Sequence, residues 1–259
     1  MFNHQTSALL ADPIWPGVWR GDQLENTGGM VTSSGHPALD AALPGGGWPQ
    51  GALIELLHSG GCLPEWRLLL PTLRAVAAER PVLVVAPPHR PHLSALAAQG
   101  LPAQRLWLAE ARTPALALWS AEQALRCPDL GALLVWLPQA QPEQLRRLHL
   151  AAQASGTPLC FAWRPLEASA SASPAPLRLA VRSLGTNGLR LDMLKRRGPP
   201  LERPIMLPAS LPVQRLLVGM PVPVDTGANV YPIGGHSRPN AHVVDRFRPR
   251  TGTGWRTCA

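Results

Sequence analysis

Between residues 31 and 205, short runs of Leu, Val, Ile and Ala alternate with longer segments of helical period. That alternation is the strongest constraint on the chain. Short apolar runs separated by amphipathic helices make βαβ units and a mostly parallel sheet. Ala52–Leu57, Val82–Ala86, Arg105–Ala109, Ala132–Leu137 and Leu159–Trp163 read as strands. Nearly continuous apolar character suits strands covered on both faces. Glu65–Glu79, Pro91–Gln99, a segment capped by Thr113 with Pro114 at its first position, and Pro142–Ala154 read as helices. In the third of these, Glu122 and Arg126 stand four apart, the spacing of an intrahelical ion pair. Leu177–Leu184 and Leu189–Leu194 flank Thr186-Asn187-Gly188, a strong hairpin signal. The expectation is an α/β domain with flanking helices and a closing antiparallel hairpin.

The pattern fails at both ends. Residues 1–30 scatter Leu9, Leu10, Ile14, Trp15, Val18 and Trp19 among Pro and Gly and read as a flexible leader. Residues 31–210 form the core. Residues 211–259 hold six Pro, six Gly, six Arg and two Asp without any period, and read as a basic, mostly disordered tail.

Charge and cysteine usage narrow the class. The net charge is +8, yet only Lys195 of the 24 basic residues is a lysine. An Arg-rich, Ala-, Pro- and Gly-rich composition fits a GC-rich coding bias, so the charge is weak support for nucleic-acid binding. Cys62, Cys127, Cys160 and Cys258 form no C-x-x-C pair, which argues against a disulfide framework and a zinc knuckle. No stretch approaches about 18 apolar residues, and the first residues carry no signal-peptide pattern. A cytoplasmic protein without a membrane partner is expected. His89 and His92 lie three apart in a Pro-rich loop without an acidic or Cys neighbour, a poor metal site.

One passage is more specific. VTSSGHPALDAALPGGGWPQGALIELL, residues 31–57, places a turn, Leu39-Asp40, Gly45-Gly46-Gly47, Pro49 and Gly51 ahead of a strand containing Glu55. It resembles the approach to the ATPase core of RecA-like proteins. RLAVRSLGTNGLRLDMLKRRGPP, residues 178–200, resembles RecA's last strands and the basic segment after them. Within that superfamily the chain is similar to the ImuA family of SOS-associated proteins, sometimes labelled SulA-like. PGVWRGDQL (16–24), the GHPALDAALPGGGWPQG block, AEQALR (121–126) and LKRRGPP (194–200) carry that likeness, over about residues 14–207.

The resemblance implies a role in damage-induced mutagenesis beside an ImuB-like protein and an error-prone DNA polymerase III alpha subunit. DNA, RecA and FtsZ are further candidate partners. The SulA-like label implies an alternative, inhibition of cell division through FtsZ. A basic DNA-binding module is another. Trp15, Trp19, Lys195, Arg196 and Arg197 are the candidate partner or DNA contacts.

A phosphate-binding loop needs G-x-x-x-x-G-K-[ST], with backbone N–H groups and a Lys around the phosphates and a hydroxyl on the metal. Here the first strand leads into His58-Ser59-Gly60-Gly61-Cys62-Leu63-Pro64-Glu65. Aligned without gaps from Glu55, Pro64 takes the Lys position and Glu65 the hydroxyl position. Proline removes an N–H, and a carboxylate at a helix N-terminus takes the place of an anion. The strand Leu133–Leu137 ends in Pro138 without a metal-ordering carboxylate. Pro87-Pro88-His89-Arg90 stands where a catalytic Glu is expected, and Trp163-Arg164 where a polar sensor is expected. The degenerate loop of His58, Gly60, Gly61, Pro64 and Glu65 therefore implies no ATP hydrolysis, no catalytic residue, no cofactor and no metal. Trp48 and Trp66 flank it and could fill the vacated cleft, although plain packing is the simpler role.

Overall fold

The computed structural model describes residues 29–59, 65–156, 158–185, 188–208 and 230–233, the last as backbone only. Eleven strands and five α-helices follow one another among these residues. The chain begins with β1 (Val31–Thr32), α1 (Pro37–Asp40) and β2 (Trp48–Pro49). β1 and β2 pair into a small antiparallel ribbon. Then come β3 (Leu53–His58), α2 (Glu65–Glu79), β4 (Val82–Val85), α3 (Leu93–Ala98), β5 (Leu106–Ala111) and α4 (Pro114–Leu125). β6 (Ala132–Trp136), α5 (Pro142–Ser155), β7 (Leu159–Pro165), β8 (Leu177–Ser183), β9 (Leu189–Lys195), β10 (Ile205–Leu207) and β11 (Val230–Ile233) complete the order.

The main sheet runs β10-β9-β8-β3-β7-β6-β4-β5-β11. β8 through β11 in that row are parallel, and β9 and β10 add antiparallel at the other edge. This is the mostly parallel α/β sheet with a terminal hairpin that the sequence pattern implied. β11 falls in the stretch without visible period, yet it extends the β5 edge in parallel register from Val230–Leu108 to Ile233–Ala111.

Both faces of the sheet are covered, which explains the unbroken apolar strands. On one face Ile54, Leu56, Val84, Leu134 and Phe161 pack against Leu68, Leu69 and Leu73 of α2. On the other, Leu53, Val85, Leu133 and Val135 meet Ala121 of α4 and Leu145 and Leu148 of α5. Burial of this kind contributes about 25 cal/mol per Å² of apolar surface removed from water. The fully buried Cys160 thiol is pushed up to about 12 by desolvation, which leaves it an apolar core group.

Caps place the helices. Thr113 Oγ1 accepts from the Leu116 N–H at 3.2 Å, and Pro114 opens α4, as its sequence indicates. Gln141 and Gln144 form a reciprocal capping box at α5, and Gly156 closes that helix at φ 73°. The helix read over Pro91–Gln99 starts two residues later, because His92 is its cap: its Nδ1 accepts from the Ala95 N–H at 3.2 Å. The expected Glu122–Arg126 pair is not the one that forms for Glu122. That carboxylate is buried and turns across to Arg147 of α5, with Nη2–Oε2 at 2.8 Å. Arg147 is thus a helix-to-helix tie.

Candidate functional site

The block ahead of β3 proves to be a clamp on α2. Asp40 accepts from the Ser33 hydroxyl at 2.6 Å and from the Ser34 N–H at 2.7 Å. Burial alone would raise its carboxyl, but these bonds and the nearby His36 together hold it below the ordinary value. His36 Nε2 donates to the Leu68 carbonyl at 3.0 Å. Trp48 Nε1 donates to Thr72 Oγ1 at 3.1 Å, and that hydroxyl donates to the Ser33 carbonyl at 3.1 Å. Gly35 sits at φ +73°, and a Cβ there would come within 2.4 Å of Pro71 Cβ in the middle of α2. The motif thus seats the turn directly on the helix. Trp48 is fully buried and edge-on to Phe161 at 5.3 Å, so its role is packing.

At the β3–α2 junction, Gly60, Gly61 and Pro64 lie outside the described residues. The flanking residues are informative. Glu65 opens α2 and is only 3% exposed. Burial pushes its carboxyl up to about 7, and the bond from its own backbone N–H offsets only part of this. Its Oε2 has no hydrogen-bond partner among the described residues. An anion approaching this helix N-terminus would meet an acidic side chain already in place.

Aromatic rings cluster toward the C-terminal ends of the central strands. His58 lies edge-on to Trp163 at 5.7 Å, and Trp163 stacks on Trp136 at 6.4 Å. Both tryptophans are buried. Trp66 is only partly buried against the same core. Arg67 donates to the Gly185 carbonyl at 2.8 Å.

The sheet centre carries an ion triad that sequence reasoning missed. Glu55 is fully buried on β3. Arg164 Nη1 on β7 donates to its Oε1 at 2.9 Å, and Arg178 Nε on β8 donates to its Oε2. Other guanidinium nitrogens reach main-chain carbonyls, Arg164 to Ala140 at 2.8 Å and Arg178 to Ala168 at 2.9 Å and Ser169 at 3.3 Å, while the buried Arg164 Nε has no hydrogen-bond partner among the described residues. The available signal was a single charge inside each of three apolar runs, LIELLH, LCFAWRP and LRLAVRS. A charge buried in such a strand requires a partner.

The three basic residues at the end of β9 and just beyond it have different fates. Lys195 Nζ donates to the Ser173 carbonyl at 3.0 Å. Arg196 donates to the carbonyls of Pro199 at 2.7 Å and Ala42 at 2.6 Å, which fastens the segment to α1. Arg197 is exposed and makes no hydrogen bond or ion pair among the described residues; it lines a cleft of about 290 Å³. Trp15 and Trp19 lie outside the described residues, so their contact role is neither placed nor joined to this segment. Among the described residues, no helix is long and apolar enough to cross a membrane.

These features define a mostly parallel α/β domain. The helix that follows its first long strand opens on a buried carboxylate, at the position where a phosphate-binding loop would carry a hydroxyl. No family model matches the chain. It is 30% identical over 156 residues to the cell division inhibitor SulA of Edwardsiella piscicida, across 57% of this chain and 92% of that protein. The chain belongs to the SulA-like family.

Proposed function

We propose that this protein is a non-catalytic RecA-like adaptor in SOS-induced translesion DNA synthesis, acting with an ImuB-like protein and an error-prone DNA polymerase III alpha subunit. The observation that carries the non-catalytic part is Glu65. A carboxylate, buried and held up to about 7, occupies the helix start that phosphate chemistry would require to be open and electropositive. The cluster of His58, Trp163 and Trp136 supports the same reading, since it sets packed rings at the ends of the central strands. The ImuA-like passages support the pathway.

A second reading has its own support. The similar protein of Edwardsiella piscicida is named a cell division inhibitor, which makes FtsZ the partner of the alternative. One experiment separates the two. A deletion strain is irradiated with ultraviolet light, then scored for mutation frequency and cell length with and without the full gene. The adaptor reading expects loss of induced mutagenesis, restored by the gene. Unchanged mutagenesis with altered filamentation would replace it by the division-inhibitor reading.

A further inference from the structure

The cleft beside Arg197 lies at the end of the sheet where the strands begin, opposite the β3–α2 junction. Ala52 precedes β3, Leu177 opens β8, and both line it. The β1–β2 ribbon forms one wall, tied by the Gln50 N–H to the Met30 carbonyl at 2.9 Å and by Gln50 Nε2 to Thr32 Oγ1 at 2.9 Å. The second half of α5 forms another wall through His149 and Gln153. A Cβ on Gly51 would come within 2.9 Å of the Gly156 carbonyl oxygen, so the floor is a close backbone approach that fixes the cleft's shape.

The chemistry of the walls is one-sided. They include Arg197, His149 and Gln153 and no Asp or Glu. The Leu53 N–H donates to His149 Nδ1 at 3.2 Å, which places the proton of the neutral ring on Nε2. Burial first, then the positive charges of Arg197 and Lys195, hold this imidazole below its ordinary value. It is therefore a neutral N–H donor in a positive field. Apart from Gln50, the rest of the wall is built of Gly, Pro and apolar residues, and Met30 and Val31 are solvent-exposed. An extended nucleic-acid backbone requires several free cations in a row. Here Lys195 and Arg196 are already tied to main-chain carbonyls, and only Arg197 faces the cleft.

We propose that this cleft docks an acidic, partly apolar peptide of a protein partner, with a carboxylate bound by Arg197 and His149 and an apolar neighbour set against Met30 and Val31. The inference rests on the reading of the chain as a protein-binding module, but its test uses small probes and fails separately from the strain experiment above. The full chain is titrated with N-acetyl-leucyl-glutamate amide, its glutamine analogue, and a ten-residue oligo-dT, with the His149 ring resonances followed by NMR. A saturable shift is expected with the glutamate probe at roughly millimolar concentration, and none with the glutamine probe. Arg197→Gln, at an exposed and untied position, should keep the native thermal transition and weaken the glutamate probe by about tenfold or more, as loss of a charge-assisted bond requires. Equal binding by Arg197→Gln overturns the proposal. So does the absence of a saturable shift, or a tighter response to the oligonucleotide at the same resonances.

Discussion

Replacing Glu65 by Gln isolates the protonation of one buried carboxyl. In the unfolded chain the group titrates near 4.5, and in the folded chain it is raised to about 7. Between those values the folded state retains a proton that the unfolded state has released. Its contribution is therefore fully present below about 4.5 and is lost as pH rises toward and through 7. At about 1.4 kcal/mol per pH unit, the gap amounts to ~3 kcal/mol. Glutamine has nearly the same shape and no charge to desolvate. Its amide nitrogen replaces an oxygen that lacks a partner among the described residues, and that cost does not depend on pH. The observable is therefore the change in the difference between the two proteins, not its absolute size. Urea denaturation followed by circular dichroism at pH 4.5, 6, 7 and 8 measures it. The variant should gain up to ~3 kcal/mol relative to the parent between the lowest and highest pH, with most of the gain below pH 7. A stability difference that is flat across this range would refute the desolvated-carboxyl argument.

Other substitutions test the remaining elements. Glu55→Gln leaves Arg164 and Arg178 buried without their counter-charge, and should cost about 3–5 kcal/mol by chemical denaturation; a loss under about 1 kcal/mol would mean that the triad is not desolvated. Asp40→Asn removes the charged acceptor of Ser33 and Ser34 and should cost about 1–2 kcal/mol at pH 7. Because folding lowers the Asp40 carboxyl, its contribution is present above the ordinary carboxylate range and lost as pH falls through the folded value. Parent and variant should therefore converge in acid, and parallel pH profiles would contradict this. Arg196→Ala should lower the thermal midpoint by a few degrees through loss of its carbonyl contacts, whereas Arg197→Ala should leave it unchanged. Equal effects would show that the segment is not anchored through Arg196.

The central strands were legible because burial on both faces writes them as unbroken apolar runs, as in ALLVW of β6. Thr113 and Pro114 gave the start of α4 because capping is local chemistry. Not every element of two to four residues left such a trace. β1, β2, β10 and β11 are specified by what lies beside them, and three residues carry no measurable period. β7 ran past its expected end at Trp163 because Arg164, which looks like a surface residue, is held inside by Glu55. Glu122 was assigned the wrong partner for a related reason. Spacing within α4 suggested Arg126, but the packing of α4 on α5 brought Arg147 to it. For the candidate site, sequence gave the identity of the degenerate loop, whereas the cleft at Arg197 depended on contacts between residues 29–52, 149–153 and 176–197.

The placement of charge within the fold is the reverse of what a ligand-binding open α/β sheet requires. Such sheets present their ligands beyond the C-terminal ends of the strands, where helix N-termini and loop N–H groups converge. In this chain the ionic groups of the central strands are spent on one another: Glu55 neutralises Arg164 and is shared with Arg178. Those cations are not free to meet a phosphate. The helix N-terminus beyond them carries Glu65, and the adjacent strand ends are packed with Trp163 and Trp136. What remains free among the basic residues of the closing segment is Arg197, at the opposite end of the strands and over a cleft with no acidic wall. The rigid sheet can still position side chains at its other end. The anchoring of Lys195 and Arg196 to main-chain carbonyls explains how Arg197 is held over that face.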